Sequence, residues 1–213
     1  MLTIRNETQA DRRIVEDITR RAFYNIYAPG CVEHYLVHTM RDHPDFIPEL
    51  DLVAELDGQI IGNVMYTRAS LTDEAGAVKE ILTFGPVAIA PECQRKGWGS
   101  RLLEYSLRRA AELGWEAVVI FGSPMNYVGL GFKSCKRFNV RLEDGRFPSA
   151  MLVKELREGA LDGRGWVYRD SPVMSIDEEE ARRYDGTLEP MAREYRPSQE
   201  EFYIMSHSTV GEA

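Results

Sequence analysis

Hydrophobic positions recur along the chain with two alternating periods, one helical and one extended. Leu2 to Arg5 reads as a short strand. Thr8-Gln9-Ala10-Asp11 has the form of a capping box, with Asp in place of the usual Glu or Gln. Beyond it Ile14, Ile18, Ala22 and Ile26 share one helical face, with Val15 and Phe23 beside it. A second helix is predicted from about Gly30 to Asp42, with Val32, Leu36, Thr39 and Met40 inward and Tyr35 alongside. Pro44 and Pro48 mark a loop. Three extended runs follow, Leu52 to Leu56, Gln59 to Leu71 and Val78 to Ile89. Asp57-Gly58, a strong two-residue hairpin signal, joins the first two, and a turn over Asp73 to Gly76 joins the next. Gly85-Pro86 interrupts the third run. Proline cannot donate to a ladder, so the interruption predicts a bulge, or a place where the strand leaves its neighbour.

A helix from Ser100 to Leu113 carries Leu103, Leu107 and Ala110 on one face and ends at Gly114, a C-terminal cap. The apolar run Glu116 to Phe121 follows. A strand, a crossover helix and a strand of this length imply parallel pairing with a right-handed connection. Gly122-Ser123-Pro124 breaks the run, a short helix is predicted over Met125 to Leu130, and strands over Phe138 to Leu142 and Met151 to Leu156. Later, Gly159, Asp162-Gly163 and Gly165 mark turns, and Asp177-Glu178-Glu179-Glu180 opens a charged stretch with the character of a short helix. The tail through Pro190, Pro197 and Phe202 shows no period. Residues 1–158 therefore read as one α/β domain, and 159–213 as an extension packed on it.

Composition narrows the function. The 213 residues carry a formal net charge of −8. That argues against a general nucleic-acid binder, which needs a basic face for phosphates. Three cysteines, Cys31, Cys93 and Cys135, fit neither a disulfide framework nor a zinc site. They read as reduced thiols, with Cys93 a packing residue. No signal-peptide pattern opens the chain, and no apolar run approaches the roughly 18 residues of a membrane helix. A cytoplasmic protein without membrane or nucleic-acid partners is expected. His34 and His38 stand four apart, but without an HExxH pattern they read as packing or solvent residues, and no metal site is expected.

The chemistry concentrates in Gln94-Arg95-Lys96-Gly97-Trp98-Gly99-Ser100, between the third extended run and the next helix. A strand, a basic glycine-bearing loop and a helix N-terminus, in that order, are the parts of an anion seat. Lys96 precedes the glycine, so the P-loop spacing fails; Gly97-Trp98-Gly99 lacks the third glycine of a dinucleotide fingerprint.

Gln94-x-x-Gly97-x-Gly99 resembles the acyl-CoA motif Arg/Gln-x-x-Gly-x-Gly/Ala of the GNAT superfamily of N-acetyltransferases. Leu82 to Ile89 is similar to that family's central strand, Pro91-Glu92-Cys93 to its approach to the loop, and Tyr127-Val128-Gly129-Leu130-Gly131-Phe132 to its Tyr-x-x-x-Gly-Phe segment. The resemblance covers roughly residues 1 to 142. Met151-Leu152-Val153 with Gly159 to Gly163 also resembles the C-terminal part of a predicted-acetyltransferase subgroup. The resemblance implies a mixed, mostly antiparallel central sheet, flanked by helices, whose parallel strands splay at the CoA site. It implies acetyl-CoA as co-substrate, with the backbone of Val87, Ala88 and Ile89 along the pantetheine arm. Gln94, Arg95, Lys96, Gly97, Trp98, Gly99 and Ser100 would surround the pyrophosphate, Trp98 shaping the loop. Tyr127 becomes the general acid toward the departing thiolate and Glu80 the candidate base, with Glu55 a weaker one. A backbone N–H near Val87 would stabilise the oxyanion. The aromatics Phe23, Tyr24, Tyr27 and Tyr35 lie in the two helices that wall the acceptor pocket in this superfamily.

The expected reaction is direct acetyl transfer to a primary amine in a ternary complex, by a monomer or homodimer. A non-catalytic acyl-CoA-binding module, or transfer of a longer acyl group, would retain the same loop; CoA release across an amine panel discriminates. Gly97→Asp puts a carboxylate where the pyrophosphate is expected, so the folded variant should lose tenfold or more in acetyl-CoA affinity by calorimetry, about 1.4 kcal/mol.

Overall fold

The computed structural model describes residues 1–211. Its spine is a nine-stranded sheet, counted among the described residues. Strand β1 (Leu2–Asn6) and the helices α1 (Arg12–Phe23) and α2 (Glu33–Met40) come first. The meander β2 (Leu52–Leu56), β3 (Gln59–Asp73) and β4 (Val78–Ile89) follows, then α3 (Trp98–Glu112), β5 (Ala117–Phe121) and the single turn α4 (Pro124–Tyr127). Short strands β6 (Lys133–Ser134) and β7 (Val140–Arg141), β8 (Met151–Glu155), β9 (Trp166–Arg169), α5 (Glu178–Asp185) and α6 (Pro197–His207) complete it. The path through the sheet is β1-β2-β3-β4-β5-β8-β6, all antiparallel except β4 beside β5; β9 pairs with β3 antiparallel and with β7 parallel.

Alternation along β3 distributes the core between two faces. Val64 and Tyr66 point to α3, where they meet Leu102, Leu103 and Leu107 in one buried cluster. Met65 points the other way, into a cluster with Val15 of α1 and Leu36, Val37 and Met40 of α2. The buried stripe of α1 is Val15, Ile18 and Thr19, and Ile14 is 48% exposed. The helix is thus rotated by about one residue from the face that spacing predicts, because Thr19 turns inward to bond the buried amide of Asn63 at 3.2 Å. Cys93 packs at the edge of the core, and all three cysteines are free thiols.

The bulge expected at Gly85-Pro86 is present. Val64 of β3 faces Val87 and Tyr66 faces Phe84, so two residues of β4 oppose one of β3. On its other edge β4 shares one registered pair with β5, Leu82 with Val118. Past that pair the two parallel strands diverge, as the family resemblance implied.

Residues after Gly159 return to the sheet through β9, then cross to α1 and α2. Glu212 and Ala213, the last two residues of the segment 159–213, lie outside the described residues. Sequence period predicted no helix over the tail, yet α6 forms there, with Pro197 at its first position, where a missing N–H costs nothing. No helix among the described residues is long and apolar enough to cross a membrane.

The tail is tied down by buried polar groups. Arg20 of α1, 7% exposed, donates to Asp185 at 2.8 Å and to the carbonyl of Glu189 at 2.8 Å. The imidazole of His34, fully buried, lies 3.3 Å from the same carboxylate; burial holds it neutral, with its pKa lowered to about 4. Tyr24 donates to the carbonyl of Met191, Asn25 to that of Ala192, and Gln199 to that of Asn25. Asp185→Ala strands a buried guanidinium and should cost about 3–5 kcal/mol, read as a fall in the urea unfolding midpoint.

Candidate active site

The loop after β4 builds an uncapped helix start. Arg95 (φ 61°) and Gly97 (φ 80°) are both left-handed, and α3 begins directly after Gly97, two residues before the predicted start. Alternating left- and right-handed residues turn successive N–H groups into a concave anion seat. No side chain caps α3 and no acidic residue stands in its first turn, so its leading N–H groups remain available. A Cβ placed on Gly97 would meet nothing within 4 Å, so the space over the loop is open. Gln94 donates its amide to the carbonyl of Ile89 at 3.0 Å, and Lys96 its ammonium to that of Glu92 at 2.9 Å. The first contact ties the loop to the end of β4, the second to the turn that follows it. Trp98 packs into the core, with the Arg101 guanidinium over its ring at 5.2 Å. Ser100 is exposed in the first turn.

Val87, Ala88 and Ile89 pair with Val64, Asn63 and Gly62 of β3. Their opposite edge lies beyond the single registered β4–β5 pair, and among the described residues no strand pairs with it. An unpaired strand edge is a template for an extended ligand. Phe121, Met125 and Val128, at the end of β5 and on the turn after it, are exposed apolar side chains close by in the chain.

A cavity of about 550 Å³ opens from this edge, lined by Phe84 to Val87, Tyr127 and Glu33, among others. The Tyr127 ring is held by Phe84 and Phe132 at centroid distances of 5.9 and 5.8 Å. A Cβ on Gly122 would lie 2.6 Å from its Cε2, so only glycine admits the ring there. Among the described residues its hydroxyl has no hydrogen-bond partner, and burial, followed by the proximity of Tyr27, raises its pKa. It therefore keeps its proton at neutral pH.

The structure does not bring Glu80 to this cavity. Glu80 stands exposed at the start of β4, opposite Ser70, four residues and roughly 13 Å of strand before Phe84. Glu55 is bound to Arg5 at 2.9 Å on β2, also outside the cavity lining. The carboxylate that lines the cavity is Glu33, in the first turn of α2. Its Oε2 accepts from the N–H of Val32 at 3.0 Å. Burial raises its pKa, partly offset by that N–H and its own. The signal for Glu33 was present: one acidic residue, at a helix start, inside a segment otherwise apolar and aromatic.

Of the aromatics singled out in the sequence, Phe23 and Tyr27 line the cavity, whereas Tyr24 is buried and Tyr35 bonds Glu180 at 2.8 Å outside it.

Comparison with known proteins agrees with this geometry. The chain is 30% identical over 163 residues to the uncharacterized N-acetyltransferase YhbS of Escherichia coli O157:H7, covering 76% of this chain and 92% of that one. The crystal structure of YhbS from Escherichia coli in complex with CoA superposes with a TM-score of 0.70 at 27% identity, over 82% of this chain and 92% of that one. A GNAT family acetyltransferase from Brucella melitensis in complex with acetyl-CoA shares the fold, with a TM-score of 0.65 at 22% identity, over 82% and 99% of the two chains. The family model described as Acetyltransferase (GNAT) family matches residues 20–127, from α1 through the site tyrosine. The chain belongs to the GNAT acetyltransferase family.

Proposed function

We propose that this protein is an acetyl-CoA-dependent N-acetyltransferase that transfers acetyl directly to a primary amine in a ternary complex, in the cytoplasm. One observation carries the reading. A single cavity joins the unpaired edge of β4, a protonated tyrosine without a protein partner, and a carboxylate whose pKa is raised by burial.

The residues present fit the donor. The α3 N-terminus, the basic side chains Arg95, Lys96 and Arg101, and the open space over Gly97 suit a pyrophosphate. The backbone of Val87 to Ile89 suits the amides of a pantetheine arm, as an added strand would. Acetyl-CoA supplies the acyl thioester. Glu33 receives the proton of the incoming ammonium, and its raised pKa makes it a better base than an exposed glutamate. The Val87 N–H, at the bulge, is the candidate oxyanion donor. Tyr127 points a retained proton at the leaving sulfur and stabilises charge that develops there. The CoA-bound state of the relative YhbS supports the donor assignment. The segment from Gly159 onward serves, in this reading, as an extension that roofs the acceptor side.

Tyr127→Phe and Glu33→Gln should each lower kcat roughly 100-fold or more while keeping acetyl-CoA affinity, measured by calorimetry alongside CoA release. The two differ in pH profile. Glu33 must be ionised to accept a proton, so wild-type kcat/KM falls as the pH drops through its raised pKa. Tyr127→Phe keeps that acidic limb and Glu33→Gln loses it. Equal pH profiles for both variants would remove Glu33 as the base.

Gly122→Ala tests the placement of the phenol without touching it. The added methyl displaces the Tyr127 ring, so kcat should fall roughly 10- to 100-fold with acetyl-CoA affinity retained.

A further inference from the structure

The far wall of the cavity is aromatic. Phe23, Tyr27 and Phe202 form a ladder, with ring centroids 5.7 Å apart for the first pair and 4.4 Å for the second. Phe202 comes from α6, more than 170 residues away in sequence from Phe23, the last residue of α1, and Tyr27 in the loop after it. All three rings line the cavity beside Glu33, and the same four residues also line a smaller adjoining cavity of about 300 Å³. The field of Glu33 contributes to the raised pKa of Tyr27, which places the carboxylate near that phenol.

Charge is scarce in the main cavity. Its lining includes two side chains able to carry a charge, Glu33 and Arg146. Arg146 is engaged by Asp144 at 2.7 Å. One unpaired carboxylate in an aromatic and aliphatic setting matches one ammonium on an apolar body. The cation is neutralised by Glu33 and attracted by the ring faces, and the body buries against Phe202, Leu36, Met174 and Ile176. A diamine would leave its second ammonium buried without a counter-charge, which costs several kcal/mol. The roof is fixed as well. The chain leading to α6 is bonded to α1 and the residues after it through Tyr24, Asn25 and Gln199, and Thr209 bridges to Pro148. A folded protein acceptor would have to displace it.

We propose that the acceptor is a small monoamine with an apolar, preferably aromatic, body, and that Phe202 of the C-terminal helix sets this preference. The proposal rests on Glu33 marking the acceptor end of the cavity, and deepens the acetyltransferase reading to a substrate class.

The experiment compares 2-phenylethylamine, butylamine, butane-1,4-diamine and a short lysine-containing peptide as acceptors with acetyl-CoA, and also titrates 2-phenylethylamine into the enzyme–CoA complex by calorimetry. The phenyl amine should exceed the diamine and the peptide at least tenfold in kcat/KM. Phe202→Ala, in a protein that still binds acetyl-CoA, should raise its KM about tenfold and affect butylamine less. Phe202→Leu should recover butylamine more than 2-phenylethylamine. Preference for the diamine or the peptide overturns the proposal, as does a Phe202→Ala variant with unchanged ranking. If 2-phenylethylamine binds, and binds tenfold more weakly to both Phe202→Ala and Glu33→Gln, yet no amine is acetylated, the pocket assignment stands and the catalytic reading fails. If acetyl-CoA binds and 2-phenylethylamine does not, the substrate class is wrong.

Discussion

Everything at the site depends on where β4 parts from β5. A parallel pair normally continues for the length of its shorter strand, because each additional residue satisfies another backbone donor and acceptor. Here one registered pair, Leu82 with Val118, is followed by a bulge at Gly85-Pro86 that bends β4 away. The proline has no N–H to offer a neighbour, and the extra residue re-aims the strand. The divergence frees the edge from Phe84 to Ile89. It also opens the space that Tyr127 enters from the turn after β5, and it delivers the chain to the Gln94–Ser100 loop at the mouth of the notch.

The acceptor side follows a different logic, one of charge in a dry setting. Glu33 sits among rings and aliphatic side chains, steadied by the backbone N–H of Val32. A carboxylate there has an elevated pKa and an unmet demand for a cation. Two buried guanidinium groups are met internally: Arg20 has Asp185, and Arg41 has Glu7 at 2.8 Å and Glu16 at 3.1 Å. Among the described residues Glu33 has no such guanidinium, and unlike those pairs it faces the cavity. The same Arg20–Asp185 pair that fastens the C-terminal segment to α1 thereby keeps the rings of α6 over the cavity.

The donor half of the site was largely legible before any coordinates. Its determinants are local: glycines that permit a left-handed turn at Gly97, a proline that breaks a ladder, a helix whose apolar face starts just after the loop. Such features act over a few residues, so their spacing in sequence survives folding as geometry. The hairpin at Asp57-Gly58, the three meander strands and the crossover helix were legible for the same reason. The acceptor half was less so. Glu80 stands on the strand that the resemblance pointed to, but 3.4 Å of rise per residue carries it away from the bulge. Glu33 is brought in by the packing of α2 on α1, and no local pattern reports that docking distance. The rotated face of α1 has the same origin, a long-range bond from Thr19 to Asn63 that outweighs the preference of Ile14 for burial.

By itself, then, the sequence determined the family, the order of the elements and the backbone devices of the Gln94–Ser100 loop, since each is written in residues adjacent along the chain. Only the tertiary structure decided which carboxylate faces the cavity, that the unpatterned tail forms α6, and that Phe202 stacks on Tyr27. Those outcomes are sums of weak contacts between segments far apart in the chain. In the folded chain α1, α2 and the C-terminal segment meet around Arg20, His34 and Asp185.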